Sequence, residues 1–147
     1  MMGSFFAELT SGGAMPALQT TWSFAQQKHR VIADNIANIS TPNYKAKRLD
    51  YGEFQSALGE ALEERKGKPN TPFALKASDQ FRMNERGQLE TTPSIKPGRN
   101  GVFHDGTNLS IEAEMSDLAA NAMLHEMTTT LVNGYFGSLR KAISGRL

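Results

Sequence analysis

Residues 110–144 read SIEAEMSDLAANAMLHEMTTTLVNGYFGSLRKAIS, and this stretch decides the fold. Its apolar and small side chains alternate four and three residues apart, which is the seam spacing of a coiled coil. The seam predicted on this helix consists of Ile111, Met115, Leu118, Ala122, His125, Thr129, Val132, Phe136, Leu139 and Ile143. Ser110 is a favourable N-cap, and the helix should be about 50 Å long at about 1.5 Å per residue.

A second helical segment is predicted over residues 16–38. Its seam has the same spacing and consists of Leu18, Trp22, Ala25, His29, Ile32 and Ile36. Pro16 suits the first turn, because the amide hydrogen that it lacks would be unpaired there. Thr41 before Pro42 disfavours helix, which predicts an end near Asn38. This helix is about 35 Å long at the same rise, so it is too short to cover the C-terminal helix.

The middle of the chain, residues 39–108, has little periodicity. A short helix is predicted near residues 51–64, with one apolar face. The part from 65 to 108 is rich in Gly, Pro, Asn, Thr and Lys. We expect it to be extended, or disordered until bound, with a strand or two within 73–83.

The expected fold is mainly α. The helix at 16–38 and the C-terminal helix within 109–147 are predicted to pair as a coiled-coil-like hairpin in one helical domain. Residues 1–15 are an N-terminal extension, and the middle segment is extended or β with poor regularity. A further apolar stripe lies beside the C-terminal seam and consists of Leu124, Met127, Leu131 and Tyr135. An exposed stripe of this kind indicates a protein partner.

The residue types argue against catalysis and against metal binding. The chain has no cysteine, and none of its three histidines has a histidine three or four residues away to complete a zinc set. Glu112 and Glu114 are interpreted as exposed charges at the positive end of a helix dipole. His29 and His125 both fall on predicted seams, where they would be able to face each other and make packing pH-sensitive. No catalytic, cofactor or metal residue is predicted.

The charge pattern selects no nucleic acid, membrane or small-molecule substrate. The formal net charge is +1, and the cluster Lys45, Lys47 and Arg48 beside Tyr44 is too small for much affinity to nucleic acid at physiological salt. The first basic residue is Lys28, so the start lacks the charged region of a secretory signal. Export would therefore use a route without a cleaved signal.

The strongest local motif is Ala33 to Lys45, which reads ADNIANISTPNYK. Asn35 and Asn38 are three apart and share a helix face, so they can satisfy carbonyls at the helix end or bond across to another helix. The motif resembles the signature of flagellar basal-body rod and hook proteins, A-x-N-I-A-N-x-x-T-P-x-Y-K. The residues that carry the resemblance are Asn35, Ile36, Ala37, Asn38, Thr41, Pro42, Tyr44 and Lys45. The length and the C-terminal block also resemble the small proximal rod subunits.

The resemblance implies a structural subunit that self-assembles with other rod proteins, contacts the inner-membrane ring and its adaptor proteins, and transmits torque. It also implies the periplasmic rod of the basal body, reached through the flagellar type III export apparatus without cleavage. The expected subunit interface consists of Trp22, Ile32, Ile36, Leu118, Val132, Phe136, Leu139 and Ile143. The alternative is an export chaperone or adaptor that binds an amphipathic helix of a flagellar client.

Overall fold

The computed structural model describes residues 14–68, 70–95 and 110–145. They contain three helices, α1 (Ala14–Ala37), α2 (Tyr51–Arg65) and α3 (Ile111–Ile143). The most extensive contact between elements is that of α1 with α3. The predicted mainly α fold with paired terminal helices is therefore confirmed. The predictions for residues 1–13, for 96–109 with His104, and for 146–147 lie outside the described residues.

The two long helices have defined ends. The α1 helix stops at Ala37, and the chain then turns through Asn43, whose φ of 59° is left-handed, a conformation that asparagine tolerates better than most residues. The α3 helix is capped by Ser110, whose hydroxyl oxygen accepts a hydrogen bond from the N–H of Ala113 at 3.4 Å. With 24 and 33 residues, α1 and α3 are about 36 Å and 50 Å long.

The main apolar core lies between α1, α2 and the strands, not between α1 and α3. Phe24 of α1 stacks on Phe54 of α2 with ring centroids 4.1 Å apart, and Phe81 meets Phe54 edge-on at 5.8 Å. The buried members of this core are Phe24, Leu49, Phe54, Ala61, Leu75, Phe81 and Leu89. The predicted seam of α1 did not include Phe24, because α1 buries two faces and the seam describes one.

The middle segment is more ordered than its composition predicts. Four short strands are described, β1 (Lys47–Arg48), β2 (Phe81–Met83), β3 (Leu89–Thr91) and β4 (Ser94–Ile95). β1 pairs with β4 and β2 pairs with β3, both antiparallel. The expectation of an extended or β middle segment with poor regularity is confirmed, and β2 lies within the stretch 73–83 where a strand was expected. The alternative, disorder until bound, does not fit the described part of this segment, because its few apolar side chains pack with α1 and α2. Gln27 of α1 also holds β3, by donating from Nε2 to the Leu89 carbonyl oxygen at 2.9 Å.

Candidate assembly surface and the motif that supports it

Asn35 joins three parts of the chain near the end of α1. Its Nδ2 donates to the carbonyl oxygen of Lys47 at 2.8 Å and to Oε2 of Glu114 at 2.9 Å. Its Oδ1 accepts from the N–H of Lys47 at 3.0 Å and from the hydroxyl of Tyr44 at 3.3 Å. These four bonds fill the capacity of an asparagine side chain. Because Asn35 is 1% exposed, the motif fastens α1 to β1 and to the first turn of α3.

Asn38 satisfies a backbone carbonyl at the end of its own helix, which is the other of the two roles that the sequence left open. Its Nδ2 donates to the carbonyl oxygen of Asp34 at 2.8 Å, within its own helix, and its Oδ1 accepts from the hydroxyl of Thr41 at 3.2 Å. Both bonds are exposed. Asn38 therefore shapes the helix end and the turn, whereas Asn35 bonds across to another helix. Pro42 and Lys45 are exposed on this turn.

The interpretation of Glu114 as an exposed dipole charge is wrong. Glu114 is 1% exposed and its carboxylate faces Asn35. The burial of the Tyr44 hydroxyl, together with the negative charges of Asp34 and Glu114, raises the pKa of Tyr44. The Tyr44 hydroxyl thus keeps the proton that it donates to Asn35. A signal was present in the sequence, since Glu114, Asn121 and Thr128 are seven apart, but a search for apolar seams passes over polar residues.

The face of α3 that packs against α1 is rotated about the helix axis relative to the predicted seam. Glu114, Asn121 and Thr128 are buried, at heptad spacing. The Nδ2 of Asn121 donates to the carbonyl oxygen of Ala25 at 2.8 Å, and the hydroxyl of Thr128 donates to the carbonyl oxygen of Leu124 at 2.7 Å. These hydrogen bonds, one between the helices and one within α3, allow polar side chains to occupy the buried positions.

The predicted seam of α3 therefore divides into two sets. The half-buried set consists of Leu118, His125, Thr129, Val132 and Leu139. Exposed, and wrongly placed in the seam, are Ile111, Met115, Ala122, Phe136 and Ile143. In the beside-seam stripe, Leu124 and Tyr135 are half-buried whereas Met127 and Leu131 are exposed. The exposed members remain available to a neighbouring molecule.

The predicted seam of α1 also divides. Ala25 and Ile32 are buried, and Leu18 and Ile36 are half-buried. His29 is exposed, so the expectation that it faces His125 is wrong.

Beside His125 lies Trp22, with the two ring centroids 5.6 Å apart. Trp22 is 37% exposed, and it borders a cavity of about 310 Å³. The other residues lining this cavity are Gln19, Thr129, Val132 and Asn133. Phe136 lies one turn beyond Val132 on α3 and is 47% exposed. Trp22, the cavity and Phe136 thus lie along one side of the helix hairpin.

The exposed surface of α3 is apolar to a degree that is unusual for a helix facing water. Between Leu118 and Leu139 the helix contains one Asp, Glu, Lys or Arg residue, namely Glu126. The large exposed side chains of α3 are Ile111, Met115, Met123, Met127, Leu131, Phe136 and Ile143. A helix at a protein surface normally carries charged residues on its outer face. This apolar surface, called the α3 surface below, is the candidate functional site.

Two kinds of feature are absent from the residues that the structure describes. Within them, no group of three or more His, Asp or Glu side chains is arranged to hold a metal ion. Across the same residues, no helix combines the length and apolarity that a membrane span needs. A hairpin of two long helices, fastened by buried amides and exposing an apolar face, defines a structural protein that assembles with others.

Comparison with known proteins identifies the family. Residues 9–45 match the family model described as "Flagella basal body rod protein". The flagellar basal body rod protein FlgB of Bacillus subtilis (strain 168) is 30% identical over 134 residues, which cover 90% of this chain and 95% of the relative. FlgB of Borrelia hermsii is 31% identical over 121 residues, covering 79% and 84%, and FlgB of Aquifex aeolicus (strain VF5) is 29% identical over 124 residues, covering 84% and 87%. The chain therefore belongs to the FlgB family of flagellar basal body rod proteins.

Membership settles the class of function. The protein is a structural subunit of the flagellar basal body rod, and it is not an enzyme. It assembles with other rod components. The relatives give no support to a chaperone or adaptor.

Proposed function

We propose that the α3 surface is enclosed by neighbouring rod subunits, including further copies of this chain, and that this packing transmits torque. The observation that carries the proposal is the single charged residue, Glu126, among the 22 residues from Leu118 to Leu139. A helix that is apolar around most of its circumference is stable when it is buried on most sides. Among the residues that the structure describes, α1 packs on one side of α3.

The glycines of α3 support the same proposal. A Cβ built on Gly134 or on Gly137 meets no atom within 4 Å. Glycine inside a helix costs about 1 kcal/mol relative to alanine, and the packing of the single subunit does not require it at these positions. Close approach of a neighbouring helix is a use for which the absence of a side chain is an advantage.

The eight proposed interface residues contribute in different ways. Ile32 is 3% exposed, so its contribution is to hold α1 on α3. Ile36, Leu118, Val132 and Leu139 are half-buried at the edge of the helix pair. The outward-facing members are Trp22, Phe136 and Ile143. Full burial of a side chain of this size is worth about 1.5–3 kcal/mol, and Phe136, at 47% exposed, has about half of that still to gain.

The test is Phe136→Asp, measured by motility and by immunoblot of purified basal bodies. Placing an unpaired carboxylate in an apolar contact costs about 2 kcal/mol or more, so assembly should be lost. The free subunit should remain soluble and helical, because this position is outward-facing. Gln55→Asp, which adds the same charge at an exposed position of α2, is the matched control and should incorporate normally. Full motility with Phe136→Asp would contradict the proposal.

We also propose that this rod subunit lies in the periplasmic part of the basal body. There it links the inner-membrane ring and its adaptor proteins to the more distal rod, after passing through the flagellar type III export apparatus without cleavage. The family supports the rod, and the proposal adds the position and the route. The intact mass of the protein isolated from basal bodies tests the route. It should be that of a protein which retains the N-terminal residues of the sequence, and a mass that lacks them would argue for a cleaved signal.

A further inference from the structure

Two buried side-chain hydrogen bonds connect the long helices. One joins Asn35 to Glu114 at 2.9 Å, and the other joins Asn121 to the carbonyl oxygen of Ala25 at 2.8 Å. All four residues are no more than 3% exposed. Asn35 follows Ala25 on α1 whereas Glu114 precedes Asn121 on α3, so the two bonds together fix an antiparallel alignment.

Stability does not explain the choice of asparagine at position 121. The Oδ1 of Asn121 is buried and has no hydrogen-bond partner, which costs about 1–3 kcal/mol. Its Nδ2 bonds to the carbonyl of Ala25, a residue inside α1 whose carbonyl also belongs to the hydrogen-bond ladder of the helix. A leucine at this heptad position would bury apolar area and leave no polar atom unpaired. Asn121 therefore needs an explanation other than the strength of the pairing.

The apolar contacts alone do not select one alignment. Leu118, His125, Val132 and Leu139 are half-buried and repeat every seven residues along α3. A shift of α3 by one heptad, about 10 Å along the axis, would replace three of these four by another member of the same set. Repeats of this kind permit slipped pairings unless a polar group opposes them.

The buried polar groups do distinguish the alignments. A shift by one heptad in one direction would place the carboxylate of Glu114 against the carbonyl oxygen of Ala25, two acceptors in a buried site. A shift in the other direction would place Thr128 there, and its hydroxyl already donates to Leu124. That shift would also carry Glu114 past its partner Asn35. We infer that Asn121, acting with Glu114, is a positioning residue that sets the register of α3 on α1.

The register decides which side chains the assembled rod meets. In the observed alignment, Trp22 contacts His125 and borders the cavity with Val132. Counting eight residues along each helix from the contact of Trp22 with His125 brings Ala14 level with Asn133, so α3 extends about 15 Å beyond the first described residue of α1. A slipped hairpin would present a different surface. The inference rests on contacts within one subunit and holds whether or not the proposed torque path is correct.

The test measures the register of Asn121→Leu in the full chain. The chain has no cysteine, so cysteines placed at Gln26 and Ser138, both exposed, carry spin labels without background. Their separation along the axis is about 25 Å, and a one-heptad slip changes it by about 10 Å. Double electron–electron resonance should give one distance for the spin-labelled parent and a second, shifted population when Asn121→Leu is added. Urea unfolding should show that Asn121→Leu is no less stable than the parent.

Ala122→Leu, which adds a leucine at the adjacent exposed position, is the matched control and should keep the single parent distance. A single parent distance in Asn121→Leu would overturn the inference. Loss of helicity or a lower urea midpoint in Asn121→Leu would overturn it as well, since the amide would then serve stability. Asn121→Ala, which introduces no bulk, provides the second variant and should also show the shifted population.

Discussion

Replacing Asn35 with alanine removes the side chain that fastens the motif to the rest of the fold. The hydrogen bond to the Glu114 carboxylate, at 2.9 Å, is worth about 1.5–3 kcal/mol, because one partner is a charged group. The two bonds to the backbone of Lys47, at 2.8 and 3.0 Å, add about 0.5–1.5 kcal/mol each. The bond to Tyr44, at 3.3 Å, is long and adds little. The expected loss of unfolding free energy is about 3–5 kcal/mol.

Urea unfolding followed by circular dichroism measures this loss. With an m value of about 1.5 kcal/mol/M, the midpoint of Asn35→Ala should fall by about 2–3 M. Asn38→Ala is the matched control, because it makes the same change in the same motif where the hydrogen bonds are exposed. The control should lose about 1 kcal/mol or less. Equal midpoints for Asn35→Ala and Asn38→Ala would refute the role assigned to Asn35.

Two further changes test the core and the motif. Phe54→Ala removes a ring that is 0% exposed and stacked on Phe24 at 4.1 Å. Thermal and urea denaturation should show an unfolding free energy lower by about 3–5 kcal/mol. A loss under about 1 kcal/mol would contradict the placement of the core. Burial and the charges of Asp34 and Glu114 raise the pKa of Tyr44. Above about pH 10 the folded state therefore retains a proton that the unfolded state releases. The free energy of unfolding should be full below that pH and should fall above it. Tyr44→Phe should reduce this fall when urea midpoints at about pH 8 and about pH 11 are compared, and an unchanged fall would contradict the assignment.

The terminal helices were predictable because their signals are local. A 4, 3 apolar alternation, a serine N-cap at Ser110 and a proline in the turn at Pro42 each act within a few residues. The short helix α2 follows from the same kind of pattern, and its N-cap Asp50 accepts a hydrogen bond from the N–H of Glu53 at 3.1 Å. The pairing of the helices follows in turn, because each of the two apolar stripes can be buried against the other.

The packing of the middle segment was not predictable from local patterns. Gln27 and Leu89 are 62 residues apart, and neither belongs to a motif. The core residues Leu75, Phe81 and Leu89 are isolated apolar residues in a polar sequence, and a burial pattern emerges only after the chain folds back onto α1. Composition therefore left an extended and a disordered middle segment as alternatives, and the long-range contacts favour the ordered one.

The helix face was misjudged for a related reason. A rotation of the seam by one position exchanges Met115 for Glu114 and Ala122 for Asn121. Hydrophobicity favours the first of each pair inside, whereas hydrogen bonds to α1 favour the second. The sequence does not show those bonds, because their partners Asn35 and Ala25 are about 80 to 96 residues away.

The most direct test of the central claim, that neighbouring subunits enclose the α3 surface, is the accessibility of Met123. This side chain is 72% exposed in the free subunit, and Met123→Cys introduces the only thiol of a chain without cysteine. Labelling with a maleimide, quantified on this protein after separation, should be rapid in the free subunit and slow in intact purified basal bodies. It should become rapid again after the basal bodies are dissociated. Equally rapid labelling in intact basal bodies and in the free subunit would contradict the account.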